Sequence, residues 1–171
     1  MMGPGISSGE EEPGPGDRKM SERAPQRSVE LFKSGFFCAE SVLLAIAERQ
    51  GIRSDLIPRI ATGFCSGISR SGGMCGAVSG AIMGISLVAG RDSPNGSIKP
   101  SYALVQRLIH GFEEHHGSVI CHQLIGCDLA TEAGQGYFME NHLMERCLQY
   151  AEDATGLAVS LIADLHHSKT T

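Results

Sequence analysis

The sequence predicts an all-α fold, a compact bundle of about five helices behind a disordered N-terminal tail. Three observations carry the prediction. From Ser28 onward, apolar residues recur at three- and four-residue steps, the spacing of one helix face. No segment sustains the period-two alternation of a half-buried strand. The stretches between the periodic segments are rich in glycine, proline and serine, the residues that end helices and build turns. At 171 residues the chain is long enough for one domain with a substantial core, and it has no fixed-period repeat of the kind a solenoid requires.

The elements follow in order. Residues 1–25 contain GPGISSGEEEPGPGD, too few apolar groups to offset the entropy of ordering them, so a disordered tail is expected there. Met20 offers an alternative start. Residues 26–168 make up the single helical domain. Its first helix begins at Ser28, with Leu31, Cys38, Val42 and Ala45 beside Phe32, Ala39, Leu43 and Ile46 on adjoining faces, and Gly51 is a good stop. Ser54 offers an N-cap to a second helix, about Asp55 to Ser66, where Pro58 falls in the tolerant first turn. The loop SGISRSGG leads to a third helix, Cys75 to Ala89. RDSPNGSIKP is a turn-rich break. Ser101 caps a fourth helix, Tyr102 to His116, and Gly117 ends it. CHQLIGCDL reads as a short helical turn. The last long helix starts near Gly136 and reaches His166, with Gly156 a candidate kink.

Charge and composition exclude several functions. The net charge is −5 with no basic run, which argues against nucleic acid or an anionic membrane as partner. Aromatic residues make up 5% and tryptophan is absent, so stacking platforms for single strands are not expected. The longest uncharged apolar stretch, Ala77 to Gly90, has 14 residues. That is about two-thirds of a bilayer span and reads as a buried helix. No basic segment followed by an apolar one marks a secretory signal. A cytoplasmic location is therefore expected, where six cysteines serve as thiols, metal ligands or a catalytic pair rather than as structural staples.

The most unusual stretch is SRSGGMCGAVSGAIMG, Ser69 to Gly84. Gly72 and Gly73 permit a sharp turn into the third helix. Cys75 then falls at the first turn, where unpaired amides and the helix dipole favour an anion, so a thiolate of lowered pKa is expected. Gly76, Gly80 and Gly84 follow at four-residue steps. Interior glycines weaken a helix, and close approach of a neighbouring backbone compensates, either within the monomer or across a homodimer. Cys75 as a small buried residue in a tight helix is the plain alternative. Cys38 lies on the apolar side of the first helix, Cys121 opens the short turn, and Cys147 falls midway along the last helix. No pair has CxxC spacing, which makes a zinc ribbon or a thioredoxin-type site improbable. Facing helices can still bring scattered thiols together.

The remaining polar residues carry less. His110, His115 and His116 approach the end of the fourth helix, where capping and solvation explain them. His122 could assist thiolate formation at Cys121 or join a metal shell. Glu113–Glu114 reads as solvated charge, and SRSGGMCG lacks the Lys-Ser/Thr ending of a phosphate loop.

Taken together, FCAESVLLA around Cys38, the hexad Cys75-Gly76-Ala77-Val78-Ser79-Gly80, CHQLIG from Cys121 and a final Cys147 resemble the redox-active family named for its C…GCAxxG…C…C cysteine pattern. The resemblance covers about Ser28 to Thr155. It implies a small helical domain in which Cys38, Cys75, Cys121 and Cys147 carry the chemistry, as catalytic thiols or as metal ligands. Similar domains occur fused to c-type haem modules, where the cysteines are associated with an iron–sulfur centre. This chain has no CxxCH, so haem attachment is not expected. Cys65 and Cys127 fall outside the pattern.

Two chemistries stay open. Soft thiolates from several helices could bind a metal centre, most naturally an iron–sulfur cluster. Alternatively, a thiol pair cycles between dithiol and disulfide with a redox partner protein or a small thiol, and the bare chain leans this way. A reading of a different class is a non-catalytic helical binding module, whose cysteines fill space and whose glycine-lined face docks a partner helix.

Overall fold

The computed structural model describes residues 23–168, and every regular element among them is helical. The all-α expectation holds. The count does not: eight helical elements and one 3-10 helix stand where about five helices were expected. The tail expected over residues 1–25 lies outside the described residues up to position 22, and a helix already opens at Ala24.

The expected first helix is two. Helix α1, Ala24–Lys33, carries Pro25 in its opening turn, where the missing amide proton costs nothing. The chain then breaks at residues 34–37, with Gly35 at φ +113°, and restarts as α2, Cys38–Arg49. Glu40 holds the restart by accepting a hydrogen bond from the Phe37 amide (2.8 Å), one half of a capping box.

The expected second helix does not form. Ser54 caps nothing longer than a turn, its hydroxyl accepting from the Leu56 amide (3.2 Å). A 3-10 helix, Arg59–Phe64, follows. Leu56, Ile60 and Phe64 are exposed, so no continuous apolar stripe is buried to stabilise a full helix here. The next element, α3 (Cys65–Arg70), is helical in hydrogen bonding but left-handed: Ser66, Gly67, Ile68, Ser69 and Arg70 all have φ between 54° and 68°. Each non-glycine residue so placed costs roughly 1–2 kcal/mol.

Helix α4, Gly76–Ala89, begins where the sequence places it, with Cys75 as its N-cap. It packs against α2, against α5 (Lys99–His116) and against α8 (Met144–Ser168). Ala77, Val78, Ala81 and Ile85 are wholly buried, the pattern of a helix apolar all round. A methyl at Gly80 would meet the Ala39 carbonyl of α2, and one at Gly84 would meet Ile46. The glycine stripe is thus occupied inside the monomer and offers no face for a partner helix.

Helix α5 begins earlier than expected, at Lys99 with Pro100 in its first turn, so Ser101 lies inside it rather than capping it. It buries Leu104, Leu108 and Phe112 at four-residue steps and ends at Gly117, φ +81°. Helix α6, Cys121–Ile125, is the expected short turn and ends at Gly126. The last expected helix is again two. Helix α7, Glu132–Glu140, is capped by Thr131, whose hydroxyl accepts from the Gly134 amide (3.0 Å). A break at residues 141–143, with His142 at φ +52°, precedes α8.

One isolated antiparallel bridge, Met74 with Ile120, ties the two cysteine-bearing loops together. The Cys75 amide donates to the Val119 carbonyl (2.7 Å) and the Cys121 amide to the Gly73 carbonyl (2.8 Å). Among the described residues, no helix is long and apolar enough to cross a membrane.

Candidate functional site

Cys38, Cys75, Cys121 and Cys147 all line one cavity of about 210 Å³. The breaks that the sequence did not reveal are what bring them there. Ending α1 at Lys33 makes Cys38 the first residue of α2, not a mid-helix apolar position. Starting α8 at Met144 moves Cys147 from the middle of a helix into its first turn. Cys75 caps α4 and Cys121 opens α6. Each of the four therefore stands at the beginning of a helix.

Two glycines make room for sulfur. A methyl at Gly76 would overlap Cys38 Sγ, and one at Gly67 would overlap the Cys121 side chain. The left-handed turn of α3 supplies a further contact: the Ser66 amide donates to Cys38 Sγ (3.4 Å). Strained backbone held this close to a cluster of thiols is the kind of outlier found where a site is being shaped.

The cavity wall is apolar, with Phe32, Leu124, Ile125 and Phe138 among its residues, and among the described residues no aspartate or glutamate lines it. Arg70 is the one charged residue described in its lining. Burial dominates the electrostatics. It pushes the Cys75 thiol up to about 11 despite the Ala77 and Val78 amides that face its sulfur and pull the other way. The lowered Cys75 pKa expected from its helix-start position is therefore reversed: desolvation outweighs the dipole. Burial likewise raises Cys121 to about 11 and Cys147 to about 12, with the neighbouring thiols adding to both.

The structure also enlists residues that the cysteine pattern omits. Cys65 is buried beside Cys38, and a hydrogen bond to Cys38, followed by burial, raises its thiol. Its thiol donates to the Ala61 carbonyl (3.7 Å), and Cys38 packs against the same small cluster. Tyr150 lines the cavity and donates its hydroxyl proton to the Leu124 carbonyl of α6 (3.1 Å). Cys127 is raised by burial and then by Asp128, yet it lies outside the lining. His122 is not in the lining either; its Nδ1 donates to the Gly72 carbonyl (2.8 Å).

The donor set can be tested for what it fits. In a tetrahedral thiolate site with metal–sulfur bonds of about 2.3 Å, neighbouring sulfurs stand about 3.8 Å apart. Among the described residues, no three of the thiols lie mutually within 4.8 Å. As they stand, the thiols are too far apart for a single tetrahedral ion.

Residues 36–161, which contain all four cysteines, match the family model described as "Putative redox-active protein (C_GCAxxG_C_C)". An uncharacterized protein of Archaeoglobus fulgidus is 34% identical over 113 residues, 61% of this chain and 75% of that protein. No solved structure matches. The chain belongs to the C_GCAxxG_C_C redox-active family.

Proposed function

We propose that this family member holds an iron–sulfur cluster through Cys38, Cys75, Cys121 and Cys147, and exchanges electrons with a redox partner protein at the cavity mouth. The observation that carries this reading is the convergence of four cysteines, from four helix starts, on one apolar cavity with no carboxylate among its described lining residues. When bound, such a cluster supplies one-electron chemistry at a potential tuned by burial and hydrogen bonds to its sulfurs.

The protein's own residues have definable tasks. The four thiols give up their protons to become ligands. The starts of α2 and α4, together with Arg70, stabilise the negative charge that four thiolates bring. The Ser66 amide donates to Cys38 Sγ. Phe32, Leu124, Ile125 and Phe138 keep water away. Phe37, Met139 and Met144 line the same cavity yet remain exposed, a soft apolar rim suited to a transient partner.

A second reading is favoured by one contact, that between Cys65 and Cys38. These two thiols could form a disulfide, releasing two protons and passing two electrons to a small disulfide, which becomes two thiols.

Anaerobic purification tests both. Iron, zinc and acid-labile sulfide are quantified alongside the visible spectrum. Stoichiometric iron and sulfide, lost on Cys75→Ser and retained on Cys127→Ser, supports the cluster. A colourless, metal-free protein that forms a reversible disulfide abolished by Cys65→Ser supports dithiol exchange instead. Metal-free protein without a reversible disulfide overturns both and returns the cysteines to a packing role.

A further inference from the structure

A second cluster of donors, with no sulfur in it, lies where the end of α5 meets α8. The sequence alone suggests that His115 and His116 are solvated capping residues. Instead His116 is largely buried, its side chain 11% exposed, against Asp153 of α8. The ligand atoms of His115, His116 and Asp153 all lie within 4.8 Å of one another, the one such group among the described residues. We propose that these three residues form a binding site for a divalent transition-metal ion of borderline softness, such as zinc.

The strongest support is an unsatisfied pair. His116 Nε2 and Asp153 Oδ2 are 3.1 Å apart, but they do not align as a hydrogen bond, and each is buried with no other hydrogen-bond partner. Buried polar atoms are rarely left so. An ion seated between them satisfies both at once. With zinc–nitrogen and zinc–oxygen bonds of about 2.0–2.2 Å, donors around a tetrahedral ion stand about 3.3–3.5 Å apart, so the existing separation needs little change.

The imidazole is also held in place. The His116 ring packs on Phe112 (centroids 4.4 Å apart), meets Tyr150 edge-on (4.9 Å), and stands nearly perpendicular to the His115 ring (4.7 Å). A ligand whose orientation is fixed by packing loses little entropy on binding. Access comes through a pocket of about 390 Å³ lined by the three residues with Glu152, Gly111 and Gly156. The donor set is distinct from that of the cysteine cavity, imidazole and carboxylate against thiolate, although zinc can be taken by either.

Cobalt(II) alone is the probe, added anaerobically to the full-length protein, with stoichiometry read by equilibrium dialysis and ligand type by X-ray absorption. One cobalt per chain bound through nitrogen and oxygen is expected, and Cys75→Ser retains it. Asp153→Asn preserves side-chain shape and His115→Ala removes an exposed ring. Each should weaken that cobalt at least about tenfold with an unaltered circular dichroism spectrum. Cobalt should raise the melting temperature of wild type but not of Asp153→Asn. Cobalt bound through sulfur alone, no bound cobalt, or nitrogen–oxygen cobalt held equally tightly by both variants would overturn the proposal.

Discussion

Gly80→Ala places a methyl group into the close contact between α4 and the backbone of α2. The new carbon would stand 2.5 Å from the Ala39 carbonyl oxygen, 3.0 Å from Ala39 Cα and 3.0 Å from Val42 Cβ. Ordinary carbon–oxygen contacts begin near about 3.3 Å, so α2 must retreat by about 0.8 Å. Two of the three atoms are backbone and cannot rotate aside. Overpacking of this kind costs about 1–3 kcal/mol, and replacing a helical glycine returns about 0.5–1 kcal/mol. A net loss of about 2 kcal/mol follows from the upper part of the first range. For a domain of this size it lowers the melting temperature by about 4–8 °C. Gly136→Ala is the control: it lies within α7, and nothing stands within 4 Å of the added methyl, so it should stabilise by about 0.5–1 kcal/mol. Urea unfolding of the metal-free, reduced protein measures both, with the slope checked for constancy. Equal effects of the two substitutions would refute the close approach of α4 to α2. Because α2 also carries Cys38 and α4 follows Cys75, the proposed cluster reading expects the same retreat to reduce bound iron in Gly80→Ala.

The other expectations concern the cavity itself. Cys75 and Cys121 stand at about 11 and Cys147 at about 12, against about 8.5 for an unfolded thiol. The folded state therefore keeps protons that the unfolded chain gives up. The metal-free protein should be fully stable below about pH 8.5 and lose stability as the pH climbs toward 11–12. A urea midpoint whose fall across that window is identical in wild type and Cys75→Ser would count against this. Tyr150→Phe removes the hydroxyl that donates to Leu124 and should cost about 0.5–1.5 kcal/mol in denaturant titration; no loss would mean that bond contributes nothing. Gly67→Ala forces a methyl onto Cys121 at φ +68°, so it should cost more than the roughly 1–2 kcal/mol of the conformation alone and also lower bound iron. Gly51→Ala, at φ +66° with open space around it, isolates the conformational cost. Equal losses in the two glycine variants would show that Cys121 is not pressed by α3.

What the sequence revealed was what local chemistry determines. Apolar spacing sets helix class, and Gly72–Gly73 ahead of Cys75 mark the start of α4 to within a residue. The breaks at Gly35 and His142 left little trace, because apolar residues continue on both sides: FKSGFFC across the first, FMENHLM across the second. Those two breaks are what bring Cys38 and Cys147 to helix starts. The left-handed run from Ser66 to Arg70 has one glycine and no other local signature, so the contact of Cys65 with Cys38 was equally out of reach. His116 looked like a capping residue because its burial depends on Asp153 and Tyr150, more than thirty residues away in the chain. The sequence signal for the pair is weak: Asp153 sits on the same helix stripe as Tyr150, one turn apart.

The reversal at Cys75 bears on which chemistry the cavity favours. A helix start stabilises an adjacent anion by about 0.3–1 kcal/mol. Standing near 11 instead of about 8.5 amounts to about 3 kcal/mol against ionisation. Burial thus wins by a clear margin, and in the metal-free protein Cys75, Cys121 and Cys147 are held as protonated thiols. Disulfide exchange needs a thiolate to attack, so these three are poorly placed to begin it from the protein's own electrostatics. A bound cation inverts that balance, since a coordinating thiol is deprotonated outright. The features that penalise a bare thiolate then become useful. Around a metal so bound, an apolar wall with no carboxylate among its described residues would strengthen metal–sulfur bonding, and the helix starts with Arg70 would offset the net negative charge of the thiolates. Under the proposed cluster reading, binding of the centre and release of the thiol protons would be one coupled event, with the thiolates favoured only in the metal's company.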